Sequence, residues 1–133
     1  MNILFVCRYN RFRSVMAEAF FKRYNKNKSI HVKSASPIRG GPQRENILKA
    51  AKEFNLKIKQ HPQGLTYDIM KWQDITVVVA DDVPAALFDK NKKLGKRVIS
   101  WKIPDAKEDT FKERLAITKM IQKKVIGLVK ELA

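Results

Sequence analysis

The chain of 133 residues contains a single cysteine, Cys7, and only two histidines. One cysteine excludes an intramolecular disulfide, and no cluster of cysteine and histidine has the spacing of a zinc site. We therefore expect a protein of a reducing compartment. We also expect that it needs no metal ion and no cofactor.

Long hydrophobic runs are absent as well. The apolar stretch over residues 1–6 is too short for a secretory signal or a membrane span, and no later stretch reaches the roughly 18 apolar residues that a span requires. With 44% hydrophobic residues the chain still has enough apolar side chains for an ordinary core. We expect a soluble, cytoplasmic protein with no membrane partner.

Acidic residues are scarce: 13 face 28 lysines and arginines, which gives a formal net charge of +15. Such an excess is compatible with nucleic acid, an acidic membrane surface or a small anionic substrate as partner. The cations are spread along the chain, so a solvated lysine-rich surface is the simpler interpretation. Because no helix-turn-helix, RNP-like or zinc-finger pattern accompanies the charge, a nucleic-acid partner is not expected.

What the sequence does contain is a regular alternation of strand and helix patterns. Residues 75–80 (ITVVVA) form a continuous, largely β-branched run, typical of a parallel strand covered on both faces. Thr110 and Glu113 form a capping box at the start of the last helix. The predicted strands are 2–7, 31–36, 75–80 and 97–101, and the predicted helices are 14–24 and segments that begin near 42, 66, 84 and 110.

This order predicts an α/β fold in three layers: an open, four-stranded parallel sheet with helices on both faces. We found no linker, repeat or low-complexity segment, so residues 1–133 are predicted to form one domain. Sheets of this kind bind ligands beyond the carboxyl ends of their strands. Cys7 follows the first strand at that edge.

The loop after the first strand, C-R-Y-N-R-F-R-S, has the residues of an oxyanion site. Its backbone N–H groups can surround a tetrahedral anion, and the helix that follows adds N–H donors and the positive end of its dipole. Arg13 can bind two oxygens at once, and Ser14 can donate to a Cys7 thiolate. Asn10 can hold the loop through bonds to backbone groups. The candidate phosphate-binding residues are Arg8, Tyr9, Asn10, Arg11, Phe12, Arg13 and Ser14.

Asp105 is the candidate general acid. It lies after the last strand, in a loop that opens on the same edge of the sheet as Cys7. A thiolate that displaces an alcohol or phenol from phosphorus needs such a group to protonate the leaving oxygen. A lone cysteine is usually a buried hydrophobe, so the spacing of Cys7 and Arg13 by itself does not indicate a nucleophile. From the residues alone, Asp105 could equally be a turn residue.

These residues resemble the low-molecular-weight protein tyrosine phosphatase family, which also includes bacterial arginine phosphatases and thioredoxin-coupled arsenate reductases. The similarity continues through VKSAS, HPQGLT, WQDITVVVADD and IPDA, over nearly the whole chain. The signature F-V-C-x-x-N-x-x-R-S-x-M-A-E is matched by Phe5, Val6, Cys7, Asn10, Arg13, Ser14, Met16, Ala17 and Glu18.

The resemblance implies the flavodoxin-like architecture of that family and a phosphatase that works through a phosphocysteine. It implies Cys7 as nucleophile, Arg13 as phosphate clamp and Asp105 as general acid and then base. The substrate would be a phosphorylated protein, with phosphotyrosine favoured, or a small phosphomonoester. His61 and Asp81 look like a supporting pair, although a satisfied structural histidine is the simpler interpretation of His61.

Several positions depart from the family pattern and bear on the substrate. Tyr9 replaces the usual glycine, and Phe12 stands where a second cysteine often protects the first. Without further cysteines, arsenate reduction is not expected. The positions that usually carry aromatic side chains around the mouth hold Ile38, Arg39, Ala106 and Lys107.

Arg11 occupies the middle of the loop, so the predicted mouth is basic. If Arg11, Arg39 and Lys107 line it, an acidic phosphopeptide should be a preferred substrate. The alternatives are a phosphoarginine phosphatase, a non-hydrolytic phosphate-binding or phosphocysteine carrier domain, and a nucleic-acid-binding module. A carrier needs neither an arginine clamp nor a hydrolytic acid.

Overall fold

The computed structural model describes residues 1–133. Four strands, all parallel, form one sheet in the order β2-β1-β3-β4. The strands are β1 (Asn2–Val6), β2 (His31–Ala35), β3 (Ile75–Val78) and β4 (Arg97–Ser100). The helices are α1 (Arg13–Tyr24), α2 (Glu45–Glu53), α3 (Tyr67–Trp72), α4 (Asp89–Lys93) and α5 (Phe111–Leu132), with a 3₁₀ turn at Ala85–Phe88 before α4.

The central strand β1 divides the core into two clusters because its side chains alternate between the faces of the sheet. Phe5 points to the larger cluster, which α1, α2 and α5 cover with residues such as Phe20 and Ile121. Leu4 points to the smaller cluster, where Ile69 of α3 packs. Helices therefore cover both faces, and the predicted three-layer α/β fold is confirmed.

Two helix starts follow the expected local chemistry. The side chain of Thr66 accepts from the N–H of Ile69 at 3.1 Å, and that of Thr110 accepts from the N–H of Glu113 at 3.2 Å. Each satisfies a donor that the first turn leaves unpaired. Glu113 departs from a simple capping box, since its carboxylate accepts from the backbone N–H groups of Lys107 and Glu108.

The predicted start of α2 was wrong by three residues. The helix expected to start at Pro42 begins at Glu45, with Arg44 as its N-cap. The preceding segment is drawn into tertiary contacts, because the side-chain amide of Gln43 donates to the carbonyl oxygens of Arg11 at 3.2 Å and Lys59 at 2.9 Å. This anchors the loop between β2 and α2 against the loop that follows β1.

The three connections that matter for function meet at the carboxyl edge of the sheet. They are the phosphate loop (residues 7–14, after β1), the segment 79–83 after β3, and the acid loop (residues 101–110, after β4). The last two are joined by a hydrogen bond from the N–H of Asp81 to the carbonyl oxygen of Ile103, at 3.0 Å. The edge thus brings together residues far apart in sequence.

Candidate active site

Cys7 directly follows β1 with 2% of its surface exposed, and residues 8–12 separate it from the start of α1 at Arg13. Its sulfur is 2.9 Å from the hydroxyl oxygen of Ser14. The amide nitrogen of Asn10 donates to the same hydroxyl oxygen at 2.8 Å. Because an amide nitrogen can only donate, the hydroxyl proton of Ser14 is left to point at the sulfur, where it stabilises a thiolate.

Asn10 is held in place by both of its polar atoms. Its φ of 52° puts it in the left-handed region that asparagine tolerates better than most residues. Its side-chain oxygen accepts from the N–H of Gln63 at 2.8 Å, which ties the phosphate loop to the segment after α2. The predicted role of Asn10 as a loop support thus corresponds to observed bonds, and Gln63 is a partner that the sequence pattern did not reveal.

Arg13 is the largest fully buried side chain of the protein, with 2% exposed. Its Nη1 donates to the carbonyl oxygen of Ile103 at 2.9 Å, and its Nη2 donates to the carboxylate of Asp82 at 2.8 Å. Asp81 and Asp105 lie 3.7 and 3.9 Å from the same guanidinium. The positive charge of Arg13 is thereby fixed at the base of the site.

Asp105 is half-buried and faces the phosphate loop from the acid loop. Its Oδ1 accepts from the N–H of Ala106 at 2.9 Å and lies 3.3 Å from Nη1 of Arg114. Its Oδ2 is the atom that lies 3.9 Å from Arg13. One carboxylate oxygen is therefore anchored while the other faces the site.

Arg114 of α5 is a further site residue that the sequence pattern did not identify. Its guanidinium is buried, bonds Asp109 at 3.0 Å, and stacks 4.7 Å from the ring centre of Phe12. It thus joins the acid loop to the phosphate loop. Only the fold makes this visible, because Arg114 lies in a helix rich in cations and has no distinctive spacing.

The reaction cavity is small. It is lined by Cys7, Tyr9, Arg11, Phe12, Arg13 and Asp105 and has a volume of about 10 Å³. That is room for about one water molecule, so a phosphate group needs side chains at its wall to move. Asp82 is outside this lining, but its carboxylate accepts from Arg13 at 2.8 Å and so occupies a guanidinium N–H that would otherwise be free to bind a phosphate oxygen.

The cavity is lined by cations and by the aromatic rings of Tyr9 and Phe12. Two guanidinium groups lie close to the ring of Tyr9, with Arg8 at 5.3 Å and Arg11 at 5.1 Å from its centre. The sequence-based expectation that Arg39 and Lys107 would also line the mouth is not met, since neither lines this cavity. Arg39 instead lines a neighbouring groove.

The pairing of His61 with Asp81 is wrong. His61 is exposed and makes no hydrogen bond with Asp81, whose carboxylate faces Arg13 at 3.7 Å. The attraction of a buried guanidinium accounts for the position of Asp81.

No group of three or more acidic, histidine or cysteine side chains is arranged to hold a metal ion. No helix combines the length and apolar character that crossing a membrane requires. The candidate site consists of a cysteine, a cation and a carboxylate at the edge of a parallel sheet. That combination defines a cysteine-dependent phosphatase site.

Comparison with protein families gives the same class. The family described as "Low molecular weight phosphotyrosine protein phosphatase" matches residues 2–133. The chain belongs to this family of phosphoric monoester hydrolases, as its resemblance predicted. A search of curated proteins gave no match.

Solved structures of this family have the same fold. The YwlE arginine phosphatase from Geobacillus stearothermophilus is 17% identical over 98% of this chain and 92% of its own, with a TM-score of 0.85. Vibrio vulnificus Wzb in complex with benzylphosphonate is 21% identical over 98% and 97%, with a TM-score of 0.81. An arsenate reductase from Archaeoglobus fulgidus is 26% identical over 96% and 98%, with a TM-score of 0.75.

Proposed function

We propose that this chain hydrolyses phosphomonoesters through a phosphocysteine on Cys7, with protein phosphotyrosine as its substrate class. The proposal rests most directly on one observation: Ser14, Arg13 and Asp105 surround the single cysteine at the carboxyl edge of the sheet. Residues 1–133 act as one catalytic domain, and the cytoplasm suits an unprotected thiolate.

In the first step the Cys7 thiolate attacks phosphorus in line. The S–P bond forms as the P–O bond to the leaving group breaks, and Asp105 gives its proton to the departing oxygen. The backbone N–H groups of the phosphate loop and the guanidinium of Arg13 hold the remaining phosphoryl oxygens. The first helical turn of α1 adds its dipole to this stabilisation.

In the second step Asp105, now ionised, removes a proton from water. The water oxygen bonds to phosphorus, the S–P bond breaks, and the thiolate and inorganic phosphate are released. Ser14 stabilises the thiolate as the leaving group of this step. Tyr9, Arg11 and Phe12, which line the cavity, and Arg8 beside Tyr9 select the group attached to phosphorus.

The basic mouth bears on the choice of substrate. Arg8 and Arg11 flank Tyr9, so a phosphate attached to a cationic guanidinium would meet like charge. A phosphotyrosine brings a neutral ring that can stack on Tyr9 and the guanidinium planes. For this reason phosphotyrosine is favoured over phosphoarginine, although arginine phosphatases share the fold.

Two other activities are less well supported. A phosphocysteine carrier would have no use for Asp105 beside Arg13. An arsenate reductase of the thioredoxin-coupled kind needs further cysteines, and this chain has one.

The test is a panel of phosphotyrosine peptide, phosphoarginine peptide and a small phosphometabolite, assayed by phosphate release. We expect the highest kcat/KM for phosphotyrosine, and no turnover after Cys7→Ser. Arg11→Thr should weaken the binding of acidic phosphopeptides more than that of neutral ones. Equal effects on both would refute a role for Arg11 in charge selection. Normal hydrolysis by the Cys7→Ser variant would refute the mechanism.

A further inference from the structure

A long groove starts beside the phosphate loop and follows α2. It consists of two adjoining cavities of about 510 and 700 Å³ that share Leu48 and Gln60 in their walls. We call it the α2 groove. The residues that give it its chemical character are Arg39, Leu48, Lys52, Lys57, Ile58 and Pro62.

The groove and the reaction cavity share a wall. The N–H of Gly40, in the groove, donates to the carbonyl oxygen of Tyr9 at 3.0 Å, and Tyr9 lines the reaction cavity. A Cβ on Gly40 would lie 2.7 Å from that oxygen, so only glycine allows this approach. Gln43, also in the groove, donates to the carbonyl oxygen of Arg11. A chain bound in the groove therefore lies next to the mouth of the site.

The groove combines apolar surface with unpaired positive charge. Leu48 is a large apolar side chain left 46% exposed on the outer face of α2. Arg39, Lys52 and Lys57 form no salt bridge, and no acidic residue lines either cavity. The lysine that does have an acidic partner on this helix, Lys49 with Glu45 at 3.4 Å, is outside the lining.

We propose that the α2 groove binds an acidic segment of a phosphoprotein substrate while the phosphorylated residue occupies the reaction cavity. The proposal rests on the phosphatase function above and specifies its substrate class: a polypeptide with acidic and apolar residues near the phosphorylated position. The acidic residues pair with Lys52, Lys57 and Arg39, and the apolar ones cover Leu48 and Ile58.

Other occupants fit the groove less well. A single-stranded nucleic acid would be expected to stack its bases on aromatic rings, and no phenylalanine, tyrosine or tryptophan lines either cavity. A second copy of this chain carries a net charge of +15 and would be repelled by unpaired cations. An acidic peptide is complementary to both the charge and the apolar surface.

The experiment compares two double variants of equal charge change. Lys52→Glu with Lys57→Glu alters the groove, and Lys123→Glu with Lys124→Glu alters two exposed lysines of α5. Each is assayed with 4-nitrophenyl phosphate and with phosphotyrosine peptides that carry an acidic–apolar segment on one side or the other. A milder pair, Lys52→Gln with Lys57→Gln, provides a result if the glutamates prevent folding.

We expect the groove variant to lose about tenfold in kcat/KM on one acidic peptide, since two lost ion pairs at the surface amount to roughly that factor. The glutamine pair should show a smaller loss on the same peptide. The α5 variant and all values for 4-nitrophenyl phosphate should stay close to wild type. The loss should shrink as salt is added.

Equal losses in the groove and α5 variants would overturn the proposal, because net charge alone would then explain them. So would an unchanged kcat/KM on acidic peptides, tighter competition by a single-stranded oligonucleotide than by the peptide, or a dimer that the groove variant abolishes. Binding of the peptides to the Cys7→Ser protein, followed by fluorescence anisotropy, tests the groove without turnover. If the wild-type chain did not hydrolyse 4-nitrophenyl phosphate, the phosphatase function would be contradicted. The anisotropy measurement would still show whether the groove binds the acidic peptides.

Discussion

Replacing Arg114 by methionine should impair Asp105, the proposed general acid, while leaving Cys7, the proposed nucleophile, intact. The buried guanidinium of Arg114 lies 3.3 Å from Asp105 and 3.0 Å from Asp109, and it stacks on Phe12. Methionine has a similar length and fills the space without charge or donors. Asp105 then loses the side-chain contact that anchors its Oδ1.

The cost in stability can be worked from these contacts. The side chains of Asp105 and Asp109 are 34% and 27% exposed, so solvent screens both ion pairs and each contributes about 1 kcal/mol rather than the larger value of a fully buried pair. The stack on Phe12 adds about 1 kcal/mol. A total loss of about 3 kcal/mol leaves most domains of this size folded, since they have about 5–15 kcal/mol to lose.

The assay is kcat/KM for a series of aryl phosphates whose leaving phenols differ in pKa. A mispositioned acid matters most when the leaving oxygen is basic, so we expect about a tenfold loss for phenyl phosphate and a much smaller one for 4-nitrophenyl phosphate. Arg114→Lys, which keeps the charge and loses the fork, should fall between wild type and Arg114→Met. Arg97→Met, at an exposed arginine paired with Glu131, is the control.

A loss of the same size for every leaving group would refute this reasoning. It would mean that Arg114 supports the fold and has no specific effect on Asp105. The same conclusion would follow if the slope of log kcat/KM against the pKa of the leaving phenol were unchanged while the free energy of unfolding fell by about 3 kcal/mol.

Three further predictions follow from single contacts. Asp82→Asn removes the carboxylate that bonds Arg13 at 2.8 Å, so inorganic phosphate should inhibit about threefold to tenfold more strongly. Weaker inhibition would show that Asp82 and phosphate do not compete for the guanidinium of Arg13. The hydrogen bonds that the Glu113 carboxylate accepts from the backbone N–H groups of Glu108 and Lys107 lower its pKa below the usual 4.5. A carboxyl group whose pKa is lowered by folding adds stability at pH values above its unfolded pKa, so urea unfolding should show wild type to be more stable than Glu113→Gln near neutral pH. This difference should be lost as pH falls through the folded pKa of Glu113, and a difference that does not depend on pH would contradict the reasoning. Gly40→Ala places a methyl group 2.7 Å from the backbone oxygen of Tyr9, so we expect about 1–3 kcal/mol lower stability and a reduced kcat/KM on all substrates, whereas a silent substitution would show that the two loops can separate.

The fold could be predicted from the sequence because its signals are local. The β-branched run of β3 and the Thr110 cap of α5 each indicate their element without knowledge of distant residues. The start of α2 was misplaced by three residues because Gln43 bonds to groups 32 and 16 positions away, which no local pattern reveals. Tertiary contacts overrode a proline that suits a first turn.

The site divides in the same way. The spacing of Cys7, Arg13 and Ser14 lies within one loop, so the sequence could indicate an oxyanion site there. Asp82 and Arg114 were missed because their importance comes from partners 69 and 9 residues away across the sheet edge. Surface charge also could not say which cations line the mouth: Arg11 does, and Lys107 does not.

Lys59 is a half-buried titratable group outside the proposed mechanism. Burial lowers its pKa, in spite of Glu18 at 3.7 Å. Its Nζ donates to the carbonyl oxygen of Ser34 at 2.7 Å, on the strand next to β1. A lysine whose folded pKa is lowered costs stability at neutral pH; that cost decreases as pH rises from the folded pKa to the unfolded pKa and is gone above the unfolded pKa.

The most direct test of the phosphocysteine mechanism is the intact mass of the protein quenched in acid during turnover of an aryl phosphate. In the Asp105→Asn variant, which lacks the base for the second step, we expect the protein to carry one added phosphoryl group that fragmentation places on Cys7. The Cys7→Ala protein should carry none and release no phosphate. Phosphate release at an undiminished rate from Cys7→Ala, with no phosphoryl group found on the unaltered chain or on Asp105→Asn, would contradict the account.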